Sequence, residues 1–309
     1  MASTDSAFAG SIPAIYDRCL GPMLFEPYAR DLAGRAAAIQ PARILETAAG
    51  TGIVTAALAE ALPETEIVAT DLNQAMIDVA AGRVSSPRVS FQVADAQSLP
   101  FPDGGFDAVV CQFGVMFFPE RVGAYREARR VLRADGAFMF SAWDSLDSNP
   151  ASKAMAEAMA EVFPDDPPSF LQRTPFGYHD TSRIEADLRA AGFDEISFET
   201  VVLPSRARSA REAATGMCQG SPLRAEIEAR DATRLDSAVE AAARALERLS
   251  GPALDVEMSA HVFTARRGAR PRSVRQAGST DRRSGAGPFG RRDRRDGRSR
   301  PPPSSRAPS

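Results

Sequence analysis

Cysteine and histidine are scarce in this 309-residue chain, and both scarcities exclude classes of protein. The three cysteines, Cys19, Cys111 and Cys218, are widely spaced and odd in number. That pattern excludes a disulfide framework and any CxxC-type metal or redox site, and it fits a reducing compartment. The two histidines, His179 and His261, are too few for most zinc sites, so we expect no bound metal.

Long hydrophobic runs are also missing. The longest apolar stretch, residues 106–118, is interrupted by Asp107 and Gln112 and is too short to cross a bilayer. The opening residues, MASTDSAFAGSIP, lack the basic start and apolar run of a secretory signal. We therefore expect a cytoplasmic protein without a membrane span.

Lysine is almost absent: Lys153 stands against 36 arginines. Residues 266–309 carry 14 arginines and three aspartates, a charge of +11 in a chain whose net charge is −3. Only Val274 and Phe289 are large apolar residues there, so we predict a disordered arginine-rich tail. Such a tail is typical of nucleic-acid binding, but no aromatic interleaving accompanies the charge. The sequence favours an appendage without a specific role.

From residue 43 to residue 143 the chain alternates β-type runs with helical periods. Strands are predicted at 43–47, 66–70, 88–93, 106–113 and 137–143, and helices at 53–62, 72–80 and 122–132. This alternation predicts an α/β fold with a doubly wound parallel sheet.

After residue 143 helices are predicted at 151–163, 182–191 and 235–249. Asp231 is the expected N-cap of the last helix, and Gly251-Pro252 its stop. The alternating runs 195–203 and 256–265 predict an antiparallel hairpin at the edge of the sheet, which makes seven strands, most of them parallel.

Polar and small residues cluster where the predicted strands end. The first strand runs through Glu46 into the turn Ala48-Ala49-Gly50-Thr51-Gly52, which opens a helix and lets backbone N–H groups approach a ligand. Asp71, Asp95 and Gln112-Phe113 end the next three strands. Carboxyl ends of parallel strands share one edge of a sheet, so a nucleoside would meet these residues in one crevice.

Each of these residues also has a plainer interpretation. Asp71 could cap a strand end, Asp95 could form a turn, and Glu46 could pair with a surface arginine. The interpretation as a binding site is favoured because both aspartates fall at strand ends of one α/β pattern.

Five blocks in this order resemble the class I S-adenosylmethionine-dependent methyltransferases, and most closely the small-molecule group with the quinone-biosynthesis C-methyltransferases. They are ILETAAGTG, ATDLNQAM, VADAQSLPFPDGGFDAVV, CQFGVMFFPE and REARRVLRADGAFMFSAW. The resemblance is specific over 43–143 and loose over 10–265. It implies a seven-stranded Rossmann-like sheet with helical lid additions, and S-adenosyl-L-methionine as cofactor.

The resemblance also implies a role for each matched residue. Glu46 and the 48–52 turn would hold the methionine moiety, and Asp71 the ribose. Leu72 and Met76 would pack near the adenine, which Asp95 and Ala96 would recognise. Gln112 and Phe113 would line the boundary between cofactor and acceptor.

Two departures from the family pattern bear on these expectations. Ala48 stands where the family's E-x-G-x-G-x-G pattern has its first glycine. No Asn/Asp-Pro-Pro-Tyr block follows the fourth strand, which weighs against methylation of an amino group of adenine or glutamine. Asp166-Pro167-Pro168 falls after the fifth strand and is interpreted as a turn.

The resulting domain plan assigns residues 1–265 to one methyltransferase domain. Within it, 1–40 would form lid helices, 41–145 the cofactor-binding core, and 146–265 the acceptor pocket and the closing strands. Residues 266–309 would be the tail. No catalytic residue is identified; Tyr16 in the lid and His179 in the FGYHD loop are candidates.

We therefore expect methyl transfer by in-line displacement to a small-molecule acceptor, without a membrane or nucleic-acid partner. Three alternatives stay open. They are an NAD(P)-dependent Rossmann oxidoreductase, although G-x-G-x-x-G and a Tyr–Lys pair are missing; a non-enzymatic adenosylmethionine-binding protein; and a nucleic-acid methyltransferase aided by the basic tail.

Overall fold

The computed structural model describes residues 12–267, so the segment predicted as a disordered tail lies outside the described residues from position 268 onward. The strands are β1 Arg43–Thr47, β2 Glu66–Asp71, β3 Val89–Val93, β4 Phe106–Gln112, β5 Leu132–Trp143, β6 Glu195–Ala207 and β7 Leu254–Arg266. The helices are α1 Ile12–Ile15, α2 Glu26–Ala38, α3 Ile53–Ala61, α4 Gln74–Arg83, α5 Arg121–Val131, α6 Pro150–Val162, α7 Phe170–Arg173, α8 Thr181–Ala190, α9 Ala210–Gln219, α10 Leu223–Asp231 and α11 Leu235–Ser250.

The seven strands form one sheet in the order β3-β2-β1-β4-β5-β7-β6. Strands β1 to β5 pair in parallel, and β7 pairs antiparallel with both β5 and β6. The predicted fold class, a doubly wound, mostly parallel seven-stranded sheet, is confirmed. The carboxyl ends of β1, β2 and β4 therefore lie side by side at one edge, which we call the carboxyl edge.

Apolar side chains cover the sheet on both faces. On one face, Leu32 of α2 and Leu58 of α3 are buried with Ile44 and Val110. The other face carries the larger cluster, which includes Tyr125 of α5 and joins α6, α8, α9 and α11. Burial on both faces explains why residues 108–111 are continuously apolar.

The segment before the sheet continues from α1 into a π-helix, Tyr16–Phe25, with Pro22 inside it. Pro lacks a backbone N–H and cannot complete an α-helical hydrogen-bond ladder, so widened helical turns are found where such residues interrupt it. Within 12–267, no helix combines the length and apolar character needed to span a membrane.

Sequence patterns misjudged three local features. β6 continues through Pro204, beyond the predicted end at residue 203, because an edge strand tolerates a residue without a backbone donor. Asp231 does not cap α11: its side chain accepts from the N–H of Thr233 and caps a short 3₁₀ turn before that helix. Helices α7, α9 and α10 were not predicted.

Candidate active site

The turn after β1 is held in left-handed backbone geometry. Ala48, Gly50 and Gly52 have φ angles of 52°, 57° and 79°, and the N–H of Ala49 donates to the carbonyl of Thr70 at 2.9 Å. A Cβ at Gly52 would lie 2.9 Å from the Cβ of Ala80 on α4. The turn therefore approaches α4 more closely than a side chain at position 52 would permit.

Ala48, the departure from the family pattern, adopts a conformation that usually favours glycine. Its methyl group is accommodated by Gly114, which follows β4: a Cβ at Gly114 would lie 2.5 Å from that of Ala48 and 2.7 Å from Sγ of Cys111. Gly114, just after the end of the neighbouring strand, thus leaves the space that the methyl group of Ala48 needs.

Asp71 is buried at the end of β2 and bonds to the turn. Its Oδ2 accepts from the N–H of Gly50 at 2.9 Å, and its Oδ1 accepts from the N–H of Asn73 at 2.9 Å. Burial raises the pKa of its carboxyl, and the backbone donors oppose that shift. The carboxylate caps a strand end, as the plainer interpretation expects, and also faces the cleft described next.

A cleft of about 570 Å³ opens at the carboxyl edge between these elements. Of the predicted cofactor residues, nine line it: Ala48, Gly50, Asp71, Leu72, Met76, Asp95, Ala96, Gln112 and Phe113. Residues that sequence reasoning missed complete the lining: Asn73, Ala94, Gln97, Gly114, Phe117, Phe118 and Pro119. The volume lies in the range of about 300–1,000 Å³ typical of small-molecule sites.

Asp95 is the second carboxylate that lines the cleft. Its Oδ1 accepts from the backbone N–H of Gln97 at 2.9 Å, so it forms the turn that the plainer interpretation expects. A carboxylate has about four acceptor positions, and this turn leaves capacity for a ligand donor.

Glu46, Thr51 and Gly52 do not line the main cleft. Glu46 and Thr51 border a smaller cavity of about 30 Å³ beneath the turn, together with Gln112 and Tyr16, while Gly52 caps α3. Glu46 is 2% exposed and accepts from Oγ1 of Thr55 at 2.6 Å. Burial raises the pKa of its carboxyl to about 8.

Gln112 has one amide atom available for a ligand. Its Nε2 donates to the carbonyl of Phe25 at 3.0 Å, which fixes the amide and ties the π-helix to the sheet. Its Oε1 is buried and has no hydrogen-bond partner among residues 12–267. A donor on a bound ligand would satisfy it.

A second, largely apolar cavity adjoins the cleft; we call it the chamber. Its volume is about 100 Å³, and it shares Tyr16, Phe113 and Phe117 with the cleft. Phe113 stacks on Trp143 with ring centroids 3.8 Å apart and an interplanar angle of 4°. Trp143, the sole tryptophan, ends β5. This position at a strand end was the one sequence signal that could have indicated its place in the chamber wall.

The two catalytic candidates differ in position. Tyr16 lines the cleft, the chamber and the small cavity, and stacks on Phe25 at 4.8 Å. Burial, followed by the charges of Asp71 and Asp17, raises the pKa of its phenol, so it stays protonated. His179 is exposed and lines neither the cleft nor the chamber; its Nδ1 lies 2.7 Å from the carbonyl of Phe176.

Other polar side chains that the sequence singled out are structural. Cys111 is fully buried, and burial raises the pKa of its thiol to about 12, so it is not an activated nucleophile. His261 is buried in β7, with Nε2 3.3 Å from Asp144 and Nδ1 3.0 Å from Thr200. Within the described residues, no group of three or more His, Cys, Asp or Glu side chains is arranged to hold a metal.

Comparison with known proteins identifies the family. Residues 44–136 match the family described as "Methyltransferase domain". The chain is 30% identical to the ubiquinone/menaquinone biosynthesis C-methyltransferase UbiE of Pseudomonas aeruginosa over 173 residues, 52% of this chain and 68% of that protein. It is 38% identical to the demethylmenaquinone methyltransferase of Deinococcus radiodurans over 109 residues, 35% of this chain and 45% of that protein.

Solved structures share the fold at low sequence identity. A phosphoethanolamine N-methyltransferase 2 of Haemonchus contortus, in complex with phosphomonomethylethanolamine and S-adenosylhomocysteine, aligns over 86% of this chain and 61% of its own, with a TM-score of 0.57 and 15% identity. The YcgJ protein of Bacillus subtilis aligns over 79% of this chain and 100% of its own, with a TM-score of 0.51 and 20% identity.

These matches cover different shares of the curated relatives: the chain spans less than half the length of the Deinococcus protein and about two thirds of the Pseudomonas protein. The strand order, the αL turn after β1 and the carboxylate after β2 agree with the five sequence blocks. The chain therefore belongs to the class I S-adenosylmethionine-dependent methyltransferases.

Proposed function

We propose that this chain transfers a methyl group from S-adenosyl-L-methionine to a small-molecule acceptor. One observation carries the proposal: a cleft that holds the carboxylates Asp71 and Asp95 beside the turn after β1 shares an aromatic wall with a separate, more apolar chamber. A compartment with several polar groups next to a largely apolar one suits a polar cosubstrate and an apolar acceptor.

The polar groups of the cleft fit the proposed cofactor. Asp71 keeps acceptor positions beyond its two backbone bonds and would bind the ribose hydroxyls. Asp95 would accept from the adenine amino group, with Ala96 beside it. The cationic amino group of the methionine moiety would be held by Glu46 and by the unpartnered Oε1 of Gln112.

S-adenosyl-L-methionine would supply the methyl group on a sulfonium, which an acceptor nucleophile displaces in line. The chain's own contribution is to align the two molecules and keep water out. Tyr16, Phe113 and Phe117 lie between the two compartments and would do both. Among the described residues that line the chamber, Glu257 is the one carboxylate, and it is exposed. The acceptor nucleophile would therefore have to reach its reactive form with little help from a buried base.

The first test is binding followed by turnover. Calorimetry with S-adenosylmethionine, S-adenosylhomocysteine and NADH should give heat with the first two and none with NADH. Release of S-adenosylhomocysteine in the presence of a panel of small acceptors then distinguishes an enzyme from a protein that only binds the cofactor. Absence of heat with both adenosyl compounds would refute the proposal.

A proton should leave Glu46 when the cofactor binds. With a pKa of about 8, Glu46 is mostly protonated at pH 7 in the free protein. A cation beside it favours the ionised form, so binding at pH 7 should release up to about one proton. Calorimetry in buffers of different ionisation enthalpy measures this number. Glu46→Gln should remove the release, whereas Glu64→Gln, on an exposed side chain, should not.

The same group sets a pH dependence of stability for the free protein. The pKa of Glu46 is higher in the folded state than its ordinary value of 4.5, so its protonation stabilises the fold fully below about pH 4.5. That contribution is lost as pH rises through about 8. Glu46→Gln should flatten the fall in thermal stability between these limits; an unchanged profile would contradict the shift.

We also propose a cytoplasmic location, because Cys19, Cys111 and Cys218 are all free thiols, as is usual in a reducing compartment.

The comparisons do not favour the oxidoreductase or the nucleic-acid methyltransferase. Titration with RNA and DNA, before and after removal of residues 266–309, tests the second alternative; salt-sensitive binding that depends on those residues would support it.

A further inference from the structure

The hydroxyl of Ser205 stands out among the polar groups of the chamber. Ser205 is the one fully buried residue of β6, an edge strand whose other side chains are exposed or half-buried. Its side chain is 1% exposed, and its Oγ has no hydrogen-bond partner among residues 12–267. An unpartnered buried hydroxyl in a folded protein calls for an explanation.

The strand register places Ser205 beyond the wall that the chamber shares with the cleft. Trp143 of β5 faces Ala260 of β7, which in turn faces Val201 of β6. β6 runs in the same direction as β5, and Ser205 lies four residues past Val201, or about 13 Å further along the strand. The antiparallel pair of β6 and β7, whose connection contains α9, α10 and α11, thus projects past the carboxyl edge and brings Ser205 to the chamber lining.

Two other polar side chains of the chamber, those of Ser221 and Asn149, already have partners. Oγ of Ser221 donates to the carbonyl of Met217 at 2.7 Å. The amide of Asn149 is bound at both ends by the backbone of Ser259, with its Oδ1 at 3.0 Å and its Nδ2 at 3.1 Å. Ser205 differs because the fold leaves its hydroxyl available to a ligand.

The buried hydroxyl of Ser205 lowers the stability of the folded protein, whereas an alanine side chain at this position would not. Burying a hydroxyl without a hydrogen bond is unfavourable, whereas the smaller methyl group would fit the same space. The apolar lining around it, which includes Met217 and Met258, offers no compensation. A ligand atom that bonds to Oγ would recover the cost.

The remaining lining indicates which ligands fit. Among the described residues that line the chamber there is no lysine or arginine, and Glu257, the one carboxylate, is exposed. The stacked pair Phe113–Trp143 presents a flat aromatic surface. A phosphate or carboxylate would lack a counter-charge there, so the chamber suits an uncharged ring.

We propose that Ser205 recognises the acceptor: its hydroxyl hydrogen-bonds to the one polar group of an uncharged, ring-shaped molecule held against the aromatic wall. This inference rests on the proposed function, since it takes the chamber as the acceptor site. Ser205 is a specificity residue, and it takes no part in the chemical step.

Phenol and benzene are the probes for the test, since they differ by a single hydroxyl. Affinities for both would be measured by ligand-observed NMR in the presence of S-adenosylhomocysteine, whose own binding is measured first by calorimetry. We expect Ser205→Ala to bind benzene as the original protein does and phenol about 10-fold more weakly, because the phenol hydroxyl is left buried without a partner. Thermal stability should be unchanged or higher.

Ser141→Ala is the matched control. Ser141 is likewise 1% exposed with an unpartnered Oγ, but it does not line the chamber. It should leave the affinities for both rings unchanged.

The outcomes separate the inference from the function beneath it. Lack of heat with S-adenosylhomocysteine would overturn both. Normal S-adenosylhomocysteine binding, with equal effects of Ser205→Ala on phenol and benzene, would overturn the role of Ser205 alone. Failure of the unmodified protein to bind either ring would also overturn the role of Ser205, because the chamber would then not be a ring-binding site.

Discussion

Replacing Asp71 by alanine is expected to weaken S-adenosylhomocysteine binding by roughly 100-fold or more. Two hydrogen bonds from ribose hydroxyls to a charged carboxylate would be lost, and bonds to charged groups contribute about 1.5–3 kcal/mol each. The substitution also frees the N–H groups of Gly50 and Asn73, so the turn after β1 loses its anchor. Both effects act in the same direction on binding.

Asp71→Asn separates these two effects. The amide keeps one acceptor oxygen, which can hold either Gly50 or Asn73 but not both as the carboxylate does. We expect an intermediate loss of affinity, with thermal stability closer to that of the original protein. Asp78→Asn is the control, because Asp78 lies on α4 and accepts only from the side chain of the exposed Gln74. Affinity that survives Asp71→Ala would contradict the assignment of the cleft.

The cleft was predictable because one rule governs which residues meet there. Residues that end parallel strands meet at one edge, so Asp71, Asp95 and Gln112 could be brought together from their positions in the chain alone. The plainer roles of Asp71 and Asp95 were also real: each carboxylate forms a turn and still faces the cleft. The two interpretations describe the same side chains.

The chamber was not predictable, since no local pattern produces it. Its wall combines Tyr16, Trp143, Phe176 and Met217, which come from four distant parts of the chain. Tyr16 was singled out only as a lid residue, and Phe176 and Met217 have the sequence context of ordinary core packing. Ser205 gave no signal either: its importance lies in the absence of a partner, which only the packed structure shows.

Local geometry explains where boundaries and conformations were missed. Pro204 ends a strand in most contexts but not at the exposed edge of a sheet. Ala48 was expected to be a small departure from the family pattern, and its left-handed conformation is possible because Gly114 leaves space for its methyl group. Both cases depend on the tertiary surroundings of the residue, which the local sequence does not show.

Replacing Gly52 by alanine is expected to lower the free energy of unfolding by about 3 kcal/mol. Left-handed geometry costs a non-glycine residue about 1 kcal/mol, and forced overpacking adds about 1–3 kcal/mol. A Cβ at Gly52 would lie 2.9 Å from Cβ and 3.0 Å from Cα of Ala80, and the backbone of α4 cannot rotate away as a flexible side chain could. Thermal unfolding should show a fall in Tm of roughly 5–10 °C.

Gly50→Ala provides the matched comparison, because Gly50 has similar left-handed geometry but open space around a built Cβ. It should lower stability by only about 1 kcal/mol, while its methyl group, at a position that lines the cleft, should weaken S-adenosylhomocysteine binding. Ala48→Gly should leave Tm unchanged or raise it, since it removes left-handed strain. Equal losses of Tm for Gly50→Ala and Gly52→Ala would show that backbone strain, and not the contact with α4, makes position 52 a glycine.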